Sequence, residues 1–332
     1  VGKTNLLDAL HYLSMTRSAL NTVDQQNISY QQPFFAINST FQIIEKEHKV
    51  NCYFEQGKKK IVKVDGKEVD KLSDHIGMIP SVLVTPDDTE IIKEGSEVRR
   101  KFFDSVISQH DRAYLEDLMG MQRLLKQRNS FLKKNEGRRN INKNLLAVYD
   151  ETLIPLFQRV SSKRKAFIEA FSPYFATNYQ QIFDGAENPI ISYKSSLLKE
   201  AFEEEYQQAL EKDIILERTT MGAHRDDYAF TLNDRPIKKF GSQGQQKSFI
   251  LALKLAEYDY LQSLKGFDPL LLLDDIFDKL DDERIESLVT LLTDTKRFSQ
   301  IFITDARIER SRAFFDGKDQ VSFYEIEDGE LK

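Results

Sequence analysis

The chain has 332 residues, room for about two domains at roughly 150 residues each, and its 40% hydrophobic content is ordinary for a globular protein with a sizeable core. Its longest apolar runs, such as Leu270–Leu273, fall far short of the roughly 20 residues of a membrane-spanning helix, and no secretory leader is visible. The single cysteine, Cys52, excludes an internal disulfide framework and fits a reducing cytoplasm, and the five histidines show no metal-ligand spacing with Cys or Glu. The net charge of −6 conceals an asymmetry: Met121–Ala170 holds 12 Lys and Arg against 4 Asp and Glu, so this +8 segment sits in an otherwise −14 chain. A cationic stretch in an acidic protein is a candidate polyanion footprint, although solvated helix faces carry similar charge.

The first residues, Val1-Gly2-Lys3-Thr4-Asn5, lead into Leu6, Leu7, Leu10 and Leu13 at helical spacing. They read as the back half of a phosphate-binding loop entering a helix. The front half and its feeding strand are expected before Val1, so the chain reads as a fragment. From Phe34 to Val69 the pattern turns to short strands, with Gln56-Gly57 and Asp65-Gly66 as hairpin signals, predicting a β-meander. Ser81–Val84 predicts a further strand closed by Pro86. Glu97 to about Glu211 predicts helices almost throughout, with breaks at Asn135–Asn144, Ser172-Pro173 and Asp184–Pro189. Strands resume near Tyr228–Leu232, with a turn at Asp234-Arg235-Pro236. Then follow a helix (Gln245–Leu264), a strand (Leu270–Leu273), a helix (Asp282–Leu292) and a strand (Ile301–Thr304), the alternation of an α/β core with parallel strands. There is no internal repeat and no low-complexity tract.

Three places carry chemistry. A helix N-terminus presents unpaired N–H groups and partial positive charge to phosphate. There Lys3 is expected to bridge the β- and γ-phosphates of a nucleotide and the Thr4 hydroxyl to ligate Mg²⁺. After the apolar run Leu270–Leu273, Asp274 is expected to hold Mg²⁺, directly or through water, and Asp275 to polarise the attacking water; a core strand ending in a solvated acidic turn fits the same residues. Third, Gly241-Ser242-Gln243-Gly244-Gln245-Gln246-Lys247 opens a long apolar-periodic helix. Small residues there allow close approach to an anion, and Ser242 also reads as a simple helix cap.

With those residues in hand, the chain resembles the RecF family of recombination mediators. Gly241–Lys247, the run from Leu270 through Asp274-Asp275-Ile276-Phe277-Asp278-Lys279-Leu280-Asp281, and Gln300-Ile301-Phe302-Ile303-Thr304 carry the likeness. So do Thr85-Pro86-Asp87-Asp88, Arg99-Arg100 with Phe103-Asp104, Gln127-Arg128-Asn129, and Gly222-Ala223-His224-Arg225-Asp226-Asp227, all in the family's order. Two departures stand out: Ala223, where the family usually has proline, and Asp278, where it more often has serine. Neither removes a phosphate or metal ligand. His224–Asp227 reads equally as a cluster near the nucleotide or as a structural pin.

The resemblance implies an α/β fold, the ATPase head of ABC-type P-loop NTPases with a β-meander and an inserted helical lobe. It places the ATPase lobe at 1–92 with 216–332, and the inserted lobe at 93–215. It implies ATP and Mg²⁺ as cofactors, with Gly2, Lys3, Thr4, Asn5, Ser242, Gln243, Gly244 and Gln245 toward the nucleotide and Thr4 and Asp274 toward the metal. Asp275 and Asp274 are the implied catalytic pair. Ser242 and the N–H groups around Gly244 would close over the γ-phosphate of a second subunit, giving an ATP-dependent homodimer with two-fold symmetry. Leu280-Asp281 resembles the loop coupling the two sites, and Asp305, where many transporter ATPases have histidine, speaks against a transporter subunit. Arg123, Lys126, Arg128, Lys133, Lys134, Arg138, Arg139, Lys143, Lys163, Arg164 and Lys165 supply candidate phosphate contacts to DNA, whether single-stranded, duplex or junction. RecR and RecO are the implied partners, and slow, DNA-stimulated ATP hydrolysis serving RecA loading in gap repair and fork maintenance is the implied role. Two alternatives remain: an SMC-like head, against which the roughly 120-residue insert without heptads argues, and a non-hydrolysing DNA-binding scaffold, against which Lys3, Thr4, Ser242, Asp274 and Asp275 argue.

Overall fold

The computed structural model describes residues 2–21, 23–134, 141–183, 187–277, 282–294, 296–315, 317–318, 320–327 and 329–332. The chain forms two compact units. The first comprises Val1–Thr89, Tyr174–Glu187 and Phe240–Lys332, and the second Glu90–Pro173 and Asn188–Lys239.

The first unit is built on a parallel three-stranded sheet with Leu270–Asp274 in the centre, Ser81–Val84 on one side and Ile301–Thr304 on the other. Leu271, Leu272 and Leu273 are buried, as a near-continuous apolar run requires in a parallel strand. The helix Lys3–Met15 packs on all three strands and buries Leu7 against Leu83 and Leu272. The helix Gln243–Lys265 packs along Ser81–Val84. An antiparallel meander, Phe34–Ile43, Lys46–Glu55, Ile61–Val64 and Lys67–Glu68, turns through Gly57 and Gly66 in the left-handed region. Its inward residues Phe41, Val50, Cys52 and Val62 pack with Tyr12, Leu13 and Ile79. Burial pushes the Cys52 thiol up to about 11, so it behaves as a small apolar group.

The second unit holds the helices Ser96–His110 and Arg112–Lys134, the helix Lys143–Ile182 as far as Pro173, and an antiparallel sheet of Pro189–Lys194, Asp227–Leu232 and Arg235–Pro236. Phe103 is fully buried, with its ring centroid 4.1 Å from Tyr228 and close to Phe167, Phe171 and Phe230. Gly222, at φ 128°, is needed twice over: a Cβ there would lie 2.5 Å from the Phe157 ring.

Three expectations are corrected. The helix does not break at Ser172-Pro173, because Phe167, Phe171, Phe175, Tyr179 and Ile182 keep a buried stripe at helical spacing across it. Pro189–Lys194 is a strand inside the region read as helical, paired in full register with Asp227–Leu232. That pairing also moves a boundary: residues 216–239, assigned from sequence to the ATPase lobe, belong to the second unit, while Tyr174–Glu187 belongs to the first.

Candidate functional site

Gly2 precedes the helix Lys3–Met15 at φ 109°, a left-handed conformation suited to glycine. The first turn has no acidic residue, so the N–H groups and Lys3 leave this end cationic in character. Thr4 stands one position in, and its hydroxyl lies 3.0 Å from both Asp274 carboxylate oxygens. Asp274 ends the central strand, nearly buried, and the Thr304 hydroxyl, opposite it in register on the neighbouring strand, donates to the same carboxylate. A hydroxyl and a carboxylate held together are the hard-oxygen donors that Mg²⁺ takes. Asn5 is exposed.

Asp275 follows the strand at φ 47°, in the left-handed region, and its N–H donates to the Thr304 carbonyl at 3.1 Å. The side chain is 42% exposed and lies 3.7 Å from an Arg310 guanidinium nitrogen. Arg310 is itself forked onto Asp305, at 3.0 and 2.8 Å. Burial favours the neutral form of Asp305, but bonds from Arg310, the Arg307 N–H and the Ser311 hydroxyl outweigh it and hold the carboxyl below its usual range. The sequence offers Thr304 only as the end of a motif, with no role toward Asp274, and gives Arg310 no role at all. Aligning the two parallel strands by their apolar runs sets Thr304 opposite Asp274, whereas no local spacing rule links Asp305 to Arg310 five residues on.

Ser242 caps the helix Gln243–Lys265 in a full capping box. Its hydroxyl accepts from the Gln245 N–H at 3.2 Å, and its own N–H donates to Gln245 Oε1 at 2.8 Å. Ser242 and Gln243 are exposed, whereas Gly244 and Gln245 are half-buried. A Cβ at Gly244 would collide with the Arg284 guanidinium, which lies over the Phe183 ring. Leu280-Asp281 and Asp278 lie outside the described residues.

The cationic set divides. Arg123 and Lys126 are exposed on the helix Arg112–Lys134, as are Lys133 and Lys134. Arg128, assigned to DNA from sequence, is corrected to a structural role: it is 1% exposed, bonded to Asp150 and Asp213 at 2.8 Å each and to Thr219 at 2.9 Å. Its charge is spent on two buried carboxylates. Arg164 is likewise buried, between Asp104, Asp226 and the Ala223 carbonyl. Lys143 is exposed and paired with Glu211 at 2.6 Å, and Lys163 with Asp111. Arg138 and Arg139 lie outside the described residues. The His224–Asp227 cluster takes its partners within the second unit: His224 with Thr219, Asp226 with Arg164 and Tyr193, Asp227 with Arg99.

No protein-family model matches the chain. The DNA replication and repair protein RecF of Flavobacterium johnsoniae is 42% identical over 313 residues, covering 94% of this chain and 87% of that protein. A solved structure of the recombination mediator protein RecF with ATP in the RecFOR pathway has TM-score 0.85 and 28% identity, covering 100% of this chain and 89% of the other. The Smc head domain of Pyrococcus yayanosii, at TM-score 0.55 and 13% identity over 100% of this chain and 89% of that one, shares the fold alone. An ABC-type ATPase head with the Thr4–Asp274 pair at its centre, and relatives of this similarity over nearly its whole length, lead to one conclusion: the chain belongs to the RecF family of DNA replication and repair proteins.

Proposed function

We propose that this chain is an ATP-dependent, DNA-binding recombination mediator that dimerises around ATP and uses slow hydrolysis as its release step. The observation that carries the reading is the Thr4 hydroxyl on the Asp274 carboxylate at a helix start whose φ 109° glycine and lysine suit a phosphate. Thr4 and Asp274 would hold Mg²⁺, Lys3 would pair with the β- and γ-phosphates, and the backbone at Gly2 and Asn5 would line the anion. Bound Mg²⁺ supplies charge neutralisation on the phosphate oxygens. Asp275, 42% exposed, would orient the attacking water and accept its proton at a carboxylate oxygen as the water oxygen bonds to the γ-phosphorus and the bond from that phosphorus to the β–γ bridging oxygen breaks, ADP being the leaving group. Thr304 fixes the Asp274 rotamer through its hydroxyl.

Ser242, Gln243, Gly244 and Gln245 act on the nucleotide of a second copy, for which the exposure of Ser242 and Gln243 is a precondition. Two nucleotides then lie in an isologous interface, and loss of the γ-phosphate contact releases it. DNA phosphates meet the exposed Arg123 and Lys126, in the manner of contacts that position without reading sequence. In the cytoplasm, RecR and RecO are the partners, and RecA loading at gaps during the response to DNA damage is the output. ATP turnover by the full chain, measured with and without DNA and alongside its size in solution with ATP, tests the reading. Absence of turnover in both conditions would favour a non-hydrolysing scaffold.

A further inference from the structure

Glu187 sits beside the helix start at Ser242 and accepts a hydrogen bond from Nε2 of Gln245, 58 residues away in sequence, at 2.7 Å. Its other carboxylate oxygen accepts from the hydroxyl of Tyr179, a fully buried side chain, so the carboxylate is anchored from below. An ionised carboxylate can only accept. It therefore fixes which way the Gln245 amide faces: Nε2 toward Glu187 and Oε1 toward the Ser242 N–H at 2.8 Å. A flipped amide would oppose two oxygens on one side and two N–H groups on the other. With the amide fixed, the Gln245 N–H is committed to Ser242 Oγ, and the Ser242 hydroxyl proton remains to be donated outward. Arg284, packed where a Gly244 Cβ would be, stops the loop from settling inward.

We propose that Glu187 is a positioning residue for the trans contact: it sets the Gln245 amide and so holds the Ser242 hydroxyl ready to donate to the terminal phosphate bound by a second copy of this chain. This rests on the reading above that Ser242 acts across the dimer. The test measures dimer formation of the full chain with ATP and Mg²⁺ by light scattering, and ATP affinity of the protomer by calorimetry. Glu187→Ala weakens dimerisation by about tenfold, the scale of one net hydrogen bond, with ATP affinity unchanged. Glu187→Gln retains dimerisation, since its carbonyl still accepts from Gln245. Gln245→Glu, which sets two carboxylates face to face, loses dimerisation, and the swap Glu187→Gln with Gln245→Glu restores it by reversing donor and acceptor. Dimerisation unaffected by Gln245→Glu, or not restored by the swap, overturns the proposal. Ser242→Arg separates the two levels. If it leaves the dimer intact, the trans reading itself fails; if it abolishes the dimer while Glu187→Ala does not, only the role of Glu187 fails.

Discussion

The Thr4 hydroxyl lies 3.0 Å from each carboxylate oxygen of Asp274, across 270 residues of sequence. Thr4→Val keeps the shape of the side chain and removes the oxygen. The expected loss of ATP affinity in the presence of Mg²⁺ is about 10–100-fold, as hydrogen bonds to charged groups contribute roughly 1.5–3 kcal/mol. Thr4→Ser should remain close to wild type. Calorimetric titration with and without Mg²⁺ checks this; equal losses in both conditions would assign Thr4 to the helix rather than to the metal.

This pair was legible in the sequence because both halves are local signals: a glycine-lysine-threonine helix start, and a run of four leucines ending in acid. The meander was legible for a related reason, since Gly57 and Gly66 mark its turns and both have positive φ. Arg128 was not. Composition places it among twelve cations, but only the fold shows that Asp150 and Asp213 converge on it. The strand Pro189–Lys194 was hidden because its ladder partner is Asp227–Leu232, and nothing within its own six residues fixes that pairing. Pro173 was misread because a local helix breaker was overridden by buried aromatic residues on both sides of it. The Glu187–Gln245 bond is a long-range contact without a motif.

Asp275→Asn removes the proton acceptor while leaving Thr4, Asp274 and Lys3 in place. The expected product is an ATP-dependent dimer that persists, because hydrolysis is blocked and release does not follow. Size in solution over time with ATP decides it. A variant that hydrolyses normally, or that stays monomeric with ATP, removes Asp275 from this role.

Charge reversal at Arg123 and Lys126 should weaken DNA binding evenly across sequences and reduce the log–log salt slope by up to about 0.9 per lost duplex contact. Arg128→Met is the contrasting variant. It strands Asp150 and Asp213 in the interior, for an expected stability loss of about 3–5 kcal/mol, with DNA affinity of the folded protein unchanged. Unaltered affinity and slope after reversal at Arg123 and Lys126 would make that helix face a solvated surface only.

His224 gives the second unit a dependence on pH. Its ring lies against Phe157 at 5.7 Å between centroids, its Nε2 donates to the Thr219 carbonyl at 3.0 Å, and Nδ1 is buried without a hydrogen-bond partner among the described residues. Burial lowers its pKa from the ordinary 6.5 to about 4, outweighing the Thr219 bond, with Arg225 and Arg100 adding to the shift. The folded value lies below the unfolded one, so on acidification the unfolded chain takes up the proton first. Stability from this source is fully present above about pH 6.5 and is lost as the pH falls toward about 4. His224→Gln, which cannot charge, should flatten the fall in denaturation midpoint across that window even if its stability at pH 7 is lower. His75, also lowered by burial, and His11, lowered to about 3 by burial with Lys254 and Arg17, titrate in the same direction, so the difference between the two curves carries the information. Parallel curves would leave His224 a neutral packing group at every pH tested and assign the acid sensitivity to other groups, His75 and His11 or carboxyls held below their usual range such as Asp111 and Asp305.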